Sequence, residues 1–322
     1  MNELMNVQNK PLVAIHSLVY NHDPYIRDCL DGFVMQKTNF KFVAIVHDDA
    51  STDGTANIIK EYAEKYPDII KPILETENQY SKKDGSIQRI MSDAINATGA
   101  KYVAMCEGDD YWIDPYKLQK QVDFMEKHSV YVMCFHNVEV LSSNVEEEKN
   151  LYNHLETRCY TDTEILSKWT VPTCSVLYRN NLLKQNPNYK KIVFGDIFLF
   201  LRLAQYGKLY CINEKMAIYR RTSEGVSSGN KSQTVLLNLY SRLARQYYYM
   251  SCYFKINYDI SKSCCLQSSE YCNYIIYSEF STALERLKSI NFRYFFIHDM
   301  SIKEYILMFY AYILKKIFSI FK

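Results

Sequence analysis

Residues 107–110, Glu107-Gly108-Asp109-Asp110, put three carboxylates within four positions. They follow an apolar run, Tyr102-Val103-Ala104-Met105-Cys106, that reads as a short buried strand. Like charges at that spacing repel, and stability alone gives no reason to collect them. A divalent cation removes the penalty. Carboxylate oxygens are hard ligands, and Mg2+ or Mn2+ takes one or two of them and fills its other positions with water and substrate phosphates. A strand ending in an acidic turn therefore points to a metal–diphosphate site at the carboxyl edge of an α/β sheet, where such folds bind ligands. The competing reading is a solvated acidic turn with no ligand.

A second acidic segment, His47-Asp48-Asp49-Ala50-Ser51-Thr52-Asp53-Gly54-Thr55, follows another apolar strand pattern, Phe42 to Val46. Its position relative to a strand is the same, so one cleft can hold both clusters. A carboxylate after an early strand can accept from a base N–H or a ribose hydroxyl. No Gly-x-Gly-x-x-Gly follows Leu12–Val19 and there is no Walker loop, which argues against NAD enzymes and ATP motors. Any phosphates must be met by metal and basic side chains. A third candidate is Asp196, which follows Gly195 and opens a strongly apolar helix. A carboxylate there either caps the helix or acts as a base toward a hydroxyl acceptor.

The elements that would position these groups alternate. Leu12–Val19 is nearly all apolar, as a central parallel strand should be. Asp23 and Pro24 then predict the start of a helix carrying Ile26, Cys29, Leu30, Phe33 and Val34 on one face. Strand Phe42–Val46, a helix to about Tyr66, an edge strand Ile69–Leu74 marked by Pro72, and helix Ser86–Ala97 stopped by Gly99 complete the approach to the acidic turn. This alternation implies an α/β fold with parallel strands, right-handed crossovers and helices on both faces. Further on, the pattern predicts helix Tyr116–His128, strand Tyr131–Phe135, a charged loop at Glu146–Lys149 and a short helix Thr161–Lys168 with a Thr161/Glu164 capping box. Strand Pro172–Arg179 has polar positions able to line an acceptor pocket, and strand Leu209–Ile212 follows.

The chain has 322 residues, 48% hydrophobic and 23% charged, enough for a large core with an appendage. A net charge of +2 argues against a nucleic-acid binder. Ten Cys with no Cys-x-x-Cys and no secretory signal at the start suit a reducing, cytoplasmic setting. Residues 1–10 are polar and expected to fray. Beyond Gly229 the composition turns helical and tyrosine-rich, with helices expected at Leu236–Phe254 and Cys272–Ile290. Ser301–Lys322 mixes aromatic residues with Lys303, Lys315, Lys316 and Lys322, which suits a helix lying in a membrane interface. Burial against the catalytic domain or in a homodimer is an open alternative.

Pro11-Leu12-Val13-Ala14-Ile15 with Tyr20-Asn21, then Asp48 to Thr55, then Glu107-Gly108-Asp109-Asp110, resemble the family 2 glycosyltransferases of the GT-A fold. The resemblance covers roughly residues 10 to 228 of a GT-A domain placed at 11–229, followed by a helical region at 230–322. It implies a Rossmann-like, mainly parallel sheet, a nucleotide-diphosphate sugar donor (UDP first), Mg2+ or Mn2+, and inversion at the anomeric carbon. It also places Asp49 against the base with Asp48 near it, and Tyr20 and Asn21 at the donor nucleotide. Glu107 and Asp109 fall at the two acidic positions of the Asp-x-Asp motif, with Asp109 the stronger candidate for the metal. Asp196 takes the position of the general base. Where relatives carry Tyr-Arg-x-His, this chain has Tyr219-Arg220-Arg221-Thr222, so Arg220 or Arg221 is expected to neutralise the diphosphate in place of a histidine. No Gln-x-x-Arg-Trp is present, which argues against a processive polymerase. The implied acceptor is a glycan or lipid-linked hydroxyl in envelope polysaccharide synthesis, at the inner face of the membrane. A nucleotidyltransferase is the first rival, but Ser17–Asn21 is unlike the glycine-rich basic loop it needs. A non-catalytic binding protein is the second.

Overall fold

The computed structural model describes residues 10–142, 151–168, 170–183, 187–221 and 232–277. The expected frayed start, the Glu146–Lys149 loop, the segment after Arg221 and the amphipathic stretch 301–322 lie outside the described residues. By its internal contacts the chain divides into two compact units, one of residues 1–190 with 199–228, the other of 191–198 with 229–322.

The first unit is built on a nine-stranded sheet. Its opening strands are β1 (Val13–Val19), β2 (Phe42–Asp48), β3 (Ile70–Leu74) and β4 (Tyr102–Met105). They are parallel and lie in the order β3-β2-β1-β4, with β3 at the edge as Pro72 implied. Helices α1 (Ile26–Val34), α2 (Thr55–Lys65) and α3 (Ser86–Thr98) make the crossovers. Val13, Ala14, Ile15, Val103 and Ala104 are completely buried, which is why these strands read as continuous apolar runs. Gly99 ends α3 with a left-handed φ of 69°.

The second half of the sheet mixes directions. It comprises β5 (Tyr111–Trp112), β6 (Tyr131–Ser142), β7 (Arg158–Tyr160), β8 (Leu177–Arg179) and β9 (Lys208–Arg221), with α4 (Lys117–Lys127) and α5 (Asp162–Lys168) between them. Strand β8 runs antiparallel between β4 and β6, and β9 runs parallel to β6 while pairing antiparallel with β5 and β7. Here the structure corrects the sequence. Pro172–Arg179 is not one strand: a tight turn at Thr173–Ser175 precedes β8. Strands β6 and β9 are also far longer than their apolar cores suggest, because polar positions such as Asn137, Glu139 and Lys215 are carried by the mutual ladder. The Thr161/Glu164 capping box is present in both directions, with Thr161 N–H on the Glu164 carboxylate and Glu164 N–H on Thr161 Oγ1.

The second unit contains α7 (Gln233–Tyr253) and α8 (Tyr258–Tyr277), packed against each other, and the start of α6 (Gly195–Ala204). Gln246 on α7 accepts from the Val193 and Phe194 N–H groups, and Phe198 packs among Tyr249, Tyr253 and Phe254. The second helix begins well before Cys272, and the rest of the helix expected to Ile290 lies outside the described residues. Among the described residues no helix is long and apolar enough to cross a membrane.

Candidate active site

Strands β2, β1 and β4 are neighbours and parallel, so their carboxyl ends share one edge of the sheet. The segments leaving that edge are sewn together by backbone and side-chain hydrogen bonds. After β1, Asn21 donates its N–H to Ser51 Oγ at 2.8 Å and accepts at Oδ1 from Thr52 N–H at 2.8 Å. His22 N–H donates to Thr55 Oγ1, and Asp23 N–H to the Asp53 carboxylate. Asp53 also accepts from Thr55 N–H and so closes the start of α2. Asp23, expected as the cap of α1, does not cap it. The Tyr25 and Ile26 N–H groups are taken by the His22 carbonyl instead.

Two residues of this edge hold left-handed backbone, Asn21 at φ 54° and Ala50 at φ 61°. Asparagine tolerates that region; alanine pays roughly 1–2 kcal/mol there. Glycine removes the strain but costs roughly 0.4–1 kcal/mol of extra unfolded-state entropy. Ala50→Gly is therefore expected to stabilise the protein by about 0.5–1 kcal/mol, read as a raised urea midpoint. A lowered midpoint would contradict the left-handed geometry.

The acidic turn docks against the end of β1. Cys106 N–H donates to His16 O and Gly108 N–H to Leu18 O, both at 3.1 Å, while Asp110 N–H closes the turn onto Glu107 O. Only glycine fits at 108, since a Cβ there would lie 2.8 Å from His22 Nδ1 and 2.9 Å from a Val19 methyl. The three carboxylates separate. Glu107 is exposed, Asp109 half-buried, and Asp110 buried. Burial, then the charges of Asp109 and Glu107, push the Asp110 carboxyl well above the usual range, although Arg220 N–H donates to it at 2.8 Å.

Asp48 and Asp49 are both buried. Asp48 folds its own loop by accepting from Ser51 N–H and Ser51 Oγ. Asp49 accepts from Gln79 N–H at 2.6 Å and Tyr80 N–H at 3.0 Å, and so pins the segment after β3 to the same edge. The structure thus brings Asn21, Asp48, Asp49, Glu107 and Asp109 to one edge of the sheet, with Tyr20 half exposed beside them. Arg220, on β9, also reaches the turn, with its Nη1 on Asp109 O at 3.0 Å. Arg221 follows it as the last residue of β9. Asp196 lies in the other compact unit, in the first turn of α6, with Oδ1 accepting from Ile197 N–H at 2.8 Å.

The family model for glycosyl transferase family 2 matches residues 15–186 of the chain, more than half of it. The chain belongs to glycosyl transferase family 2. An uncharacterized protein of Mycobacterium tuberculosis is 36% identical over 218 residues, which is 66% of this chain but only 60% of that relative's own length. TuaG of Bacillus subtilis, a glycosyltransferase whose name assigns it to teichuronic acid biosynthesis, is 28% identical over 68% of this chain and 82% of its own. The structure of Staphylococcus aureus TarS residues 1–349 in complex with UDP-GlcNAc superposes with a TM-score of 0.61 at 16% identity, covering 86% of this chain and 79% of that one. That likeness shows the fold: a GT-A arrangement of sheet and helices with a C-terminal helical part.

Two residues of this edge escape a sequence reading. His22 packs its ring against Gly108, with a buried Nδ1 that has no hydrogen-bond partner among the described residues, and is surrounded by Asp109, Asp53 and Asp48. Burial lowers its proton affinity and the three carboxylates oppose that. Asp110, third in the acidic run, is the one that the fold turns inward. Its neighbour Asp109 would have marked it only as another surface acid.

Proposed function

We propose that this enzyme is an inverting glycosyltransferase that moves a sugar from a nucleoside-diphosphate donor, UDP-linked in the first instance, to a hydroxyl of a glycan or lipid-linked acceptor during envelope polysaccharide synthesis. The observation that supports it most is the meeting of the Asn21, Asp48–Thr55 and Glu107–Asp110 segments on the edge formed by β2, β1 and β4. No three His, Cys, Asp or Glu side chains among the described residues gather closely enough to cage a metal unaided. Two hard carboxylates on one turn, Glu107 exposed and Asp109 half-buried, nonetheless suit Mg2+ or Mn2+, which habitually completes its shell with substrate phosphate and water. Asp109, with Glu107 beside it, would hold the ion. When bound, the cation supplies Lewis-acid stabilisation of the departing diphosphate.

The protein's own groups do the rest. The base of the donor lies along the segment that Asp49 fastens, near Gln79 and Tyr80, with Tyr20 and Asn21 at its border and Asp48 holding the loop. Arg220 and Arg221 add positive field to a cleft that receives a polyanion. Asp196 takes the proton from the acceptor hydroxyl as its oxygen attacks the anomeric carbon opposite the leaving group. Asp109→Ala is expected to remove the Mn2+-dependent part of UDP binding in calorimetry. The loss should at least match the roughly 10–100-fold that disturbing an outer-shell partner costs. Equal Mn2+-dependent affinity in wild type and variant would take Asp109 out of the site.

A further inference from the structure

Arg220 holds two adjacent residues of the acidic turn by different means. Its backbone N–H donates to the Asp110 carboxylate at 2.8 Å, and its guanidinium Nη1 donates to the Asp109 carbonyl at 3.0 Å. The guanidinium is itself held. It lies over the Tyr111 ring at 4.6 Å and the Tyr25 ring at 4.9 Å, and Nη2 pairs with the Asp28 carboxylate on α1. The Arg220 side chain is 9% exposed and Asp28 is 50% exposed, so the fork is buried against the turn while its counter-charge faces water. An arginine free to meet a diphosphate would keep donors open toward the cleft. This one spends its fork on a carbonyl and a carboxylate of its own chain.

We propose that Arg220 is the positioning residue that selects Asp109 over Asp110 as the metal-facing carboxylate, a role that rests on the function proposed above. Two neighbouring aspartates on one turn compete to face the cleft. Fixing Asp110 inward from the β9 backbone, while fixing the Asp109 carbonyl from the β9 side chain, sets the peptide between them and leaves only the Asp109 carboxylate turned out. Tyr25 and Tyr111 hold the guanidinium against the turn, and Asp28 ties α1 into the same clamp. A metal ligand needs this kind of support, since outer-shell partners orient the oxygens that bind.

The test is Mn2+ alone, followed by water-proton relaxation, on wild type, Arg220→Met, Arg220→Lys and Tyr25→Leu. Coulomb's law and the clamp predict opposite signs. Removing a positive charge beside a dication should tighten Mn2+ binding if charge is all that Arg220 contributes. The clamp predicts instead that Arg220→Met weakens Mn2+ binding by roughly 10–100-fold. Arg220→Lys should recover part of the loss, because an ammonium can reach one of the two acceptors but not both. Tyr25→Leu changes no charge and lies off the turn, so it should weaken Mn2+ binding with the fold intact, and it carries the test if Arg220→Met does not fold. Mn2+ binding by Arg220→Met as tight as wild type or tighter, or an unchanged constant in Tyr25→Leu, overturns the clamp while leaving the site standing. A wild-type protein that binds no Mn2+ overturns the site, and the clamp with it.

Discussion

Asp196→Asn should lower the turnover of sugar transfer about a hundredfold or more, the scale expected when a positioned general base is lost, with donor affinity unchanged. Asparagine is the right replacement because it separates the two jobs of this side chain. Asp196 sits in the first turn of α6, where its Oδ1 accepts from Ile197 N–H. The amide oxygen of asparagine still serves there, and asparagine is as good a residue as aspartate at a helix start. What it lacks is the capacity to take a proton from an alcohol. A drop in turnover with an unaltered thermal midpoint and unaltered UDP binding therefore isolates the chemical role. Near-wild-type turnover would leave Asp196 as a helix-starting residue only.

Lys117→Met should stabilise the protein by about 2 kcal/mol at pH 7. Lys117 is completely buried, and its Nζ finds no hydrogen-bond partner among the described residues. It rests 3.9 Å from the Trp112 ring centroid, with the Cys106, Cys134 and Cys174 thiols and His136 around it. Burial lowers its pKa from 10.5 to about 8. A shift of that size corresponds to about 3 kcal/mol against the folded state while the amine is charged. The ring contact offsets about 1 kcal/mol of it. Because the folded pKa is depressed for a base, the unfolded chain binds more protons between about pH 8 and 10.5, and this group's contribution to stability rises with pH across that window. Below pH 8 the penalty is present in full. Urea midpoints of wild type and Lys117→Met should thus differ most at pH 7 and converge toward pH 10. Comparing the two proteins cancels those groups titrating in the same range that lie away from Lys117. A variant less stable than wild type at pH 7, or a gap that does not narrow with pH, would contradict the account.

The parallel half of the sheet was legible because its signals are local. Each of β1, β2 and β4 is an apolar run followed by a helix pattern, and Gly99 and Pro72 mark boundaries by backbone chemistry confined to one residue. The acidic turn was legible for the same reason, since its carboxylates follow directly on the apolar run of β4. What remained hidden depends on partners far away in the chain. Nothing near Arg220 announces that β9 continues to Arg221 and pairs with β5, yet that pairing carries Arg220 N–H to Asp110 across 110 positions. The inward turn of Asp110, the packing of His22 on Gly108 and the enclosure of Lys117 against Trp112 likewise follow from chain segments meeting in space. Asp23 shows the limit from the other side. Its local signature for a cap is good, but the His22 carbonyl reaches the α1 N–H groups first because residues 21–23 are bonded to the Ser51–Thr55 loop.

The central claim is that the acid groups leaving β2, β1 and β4 form one receptor for a cation and a nucleoside diphosphate. Anomalous diffraction from a crystal soaked with UDP and Mn2+ tests it most directly. The account predicts a manganese peak about 2 Å from an Asp109 carboxylate oxygen, bridged to the diphosphate, with the nucleoside along the segment held by Asp49. Manganese away from Asp109, or UDP bound elsewhere than the carboxyl ends of these three strands, would contradict it.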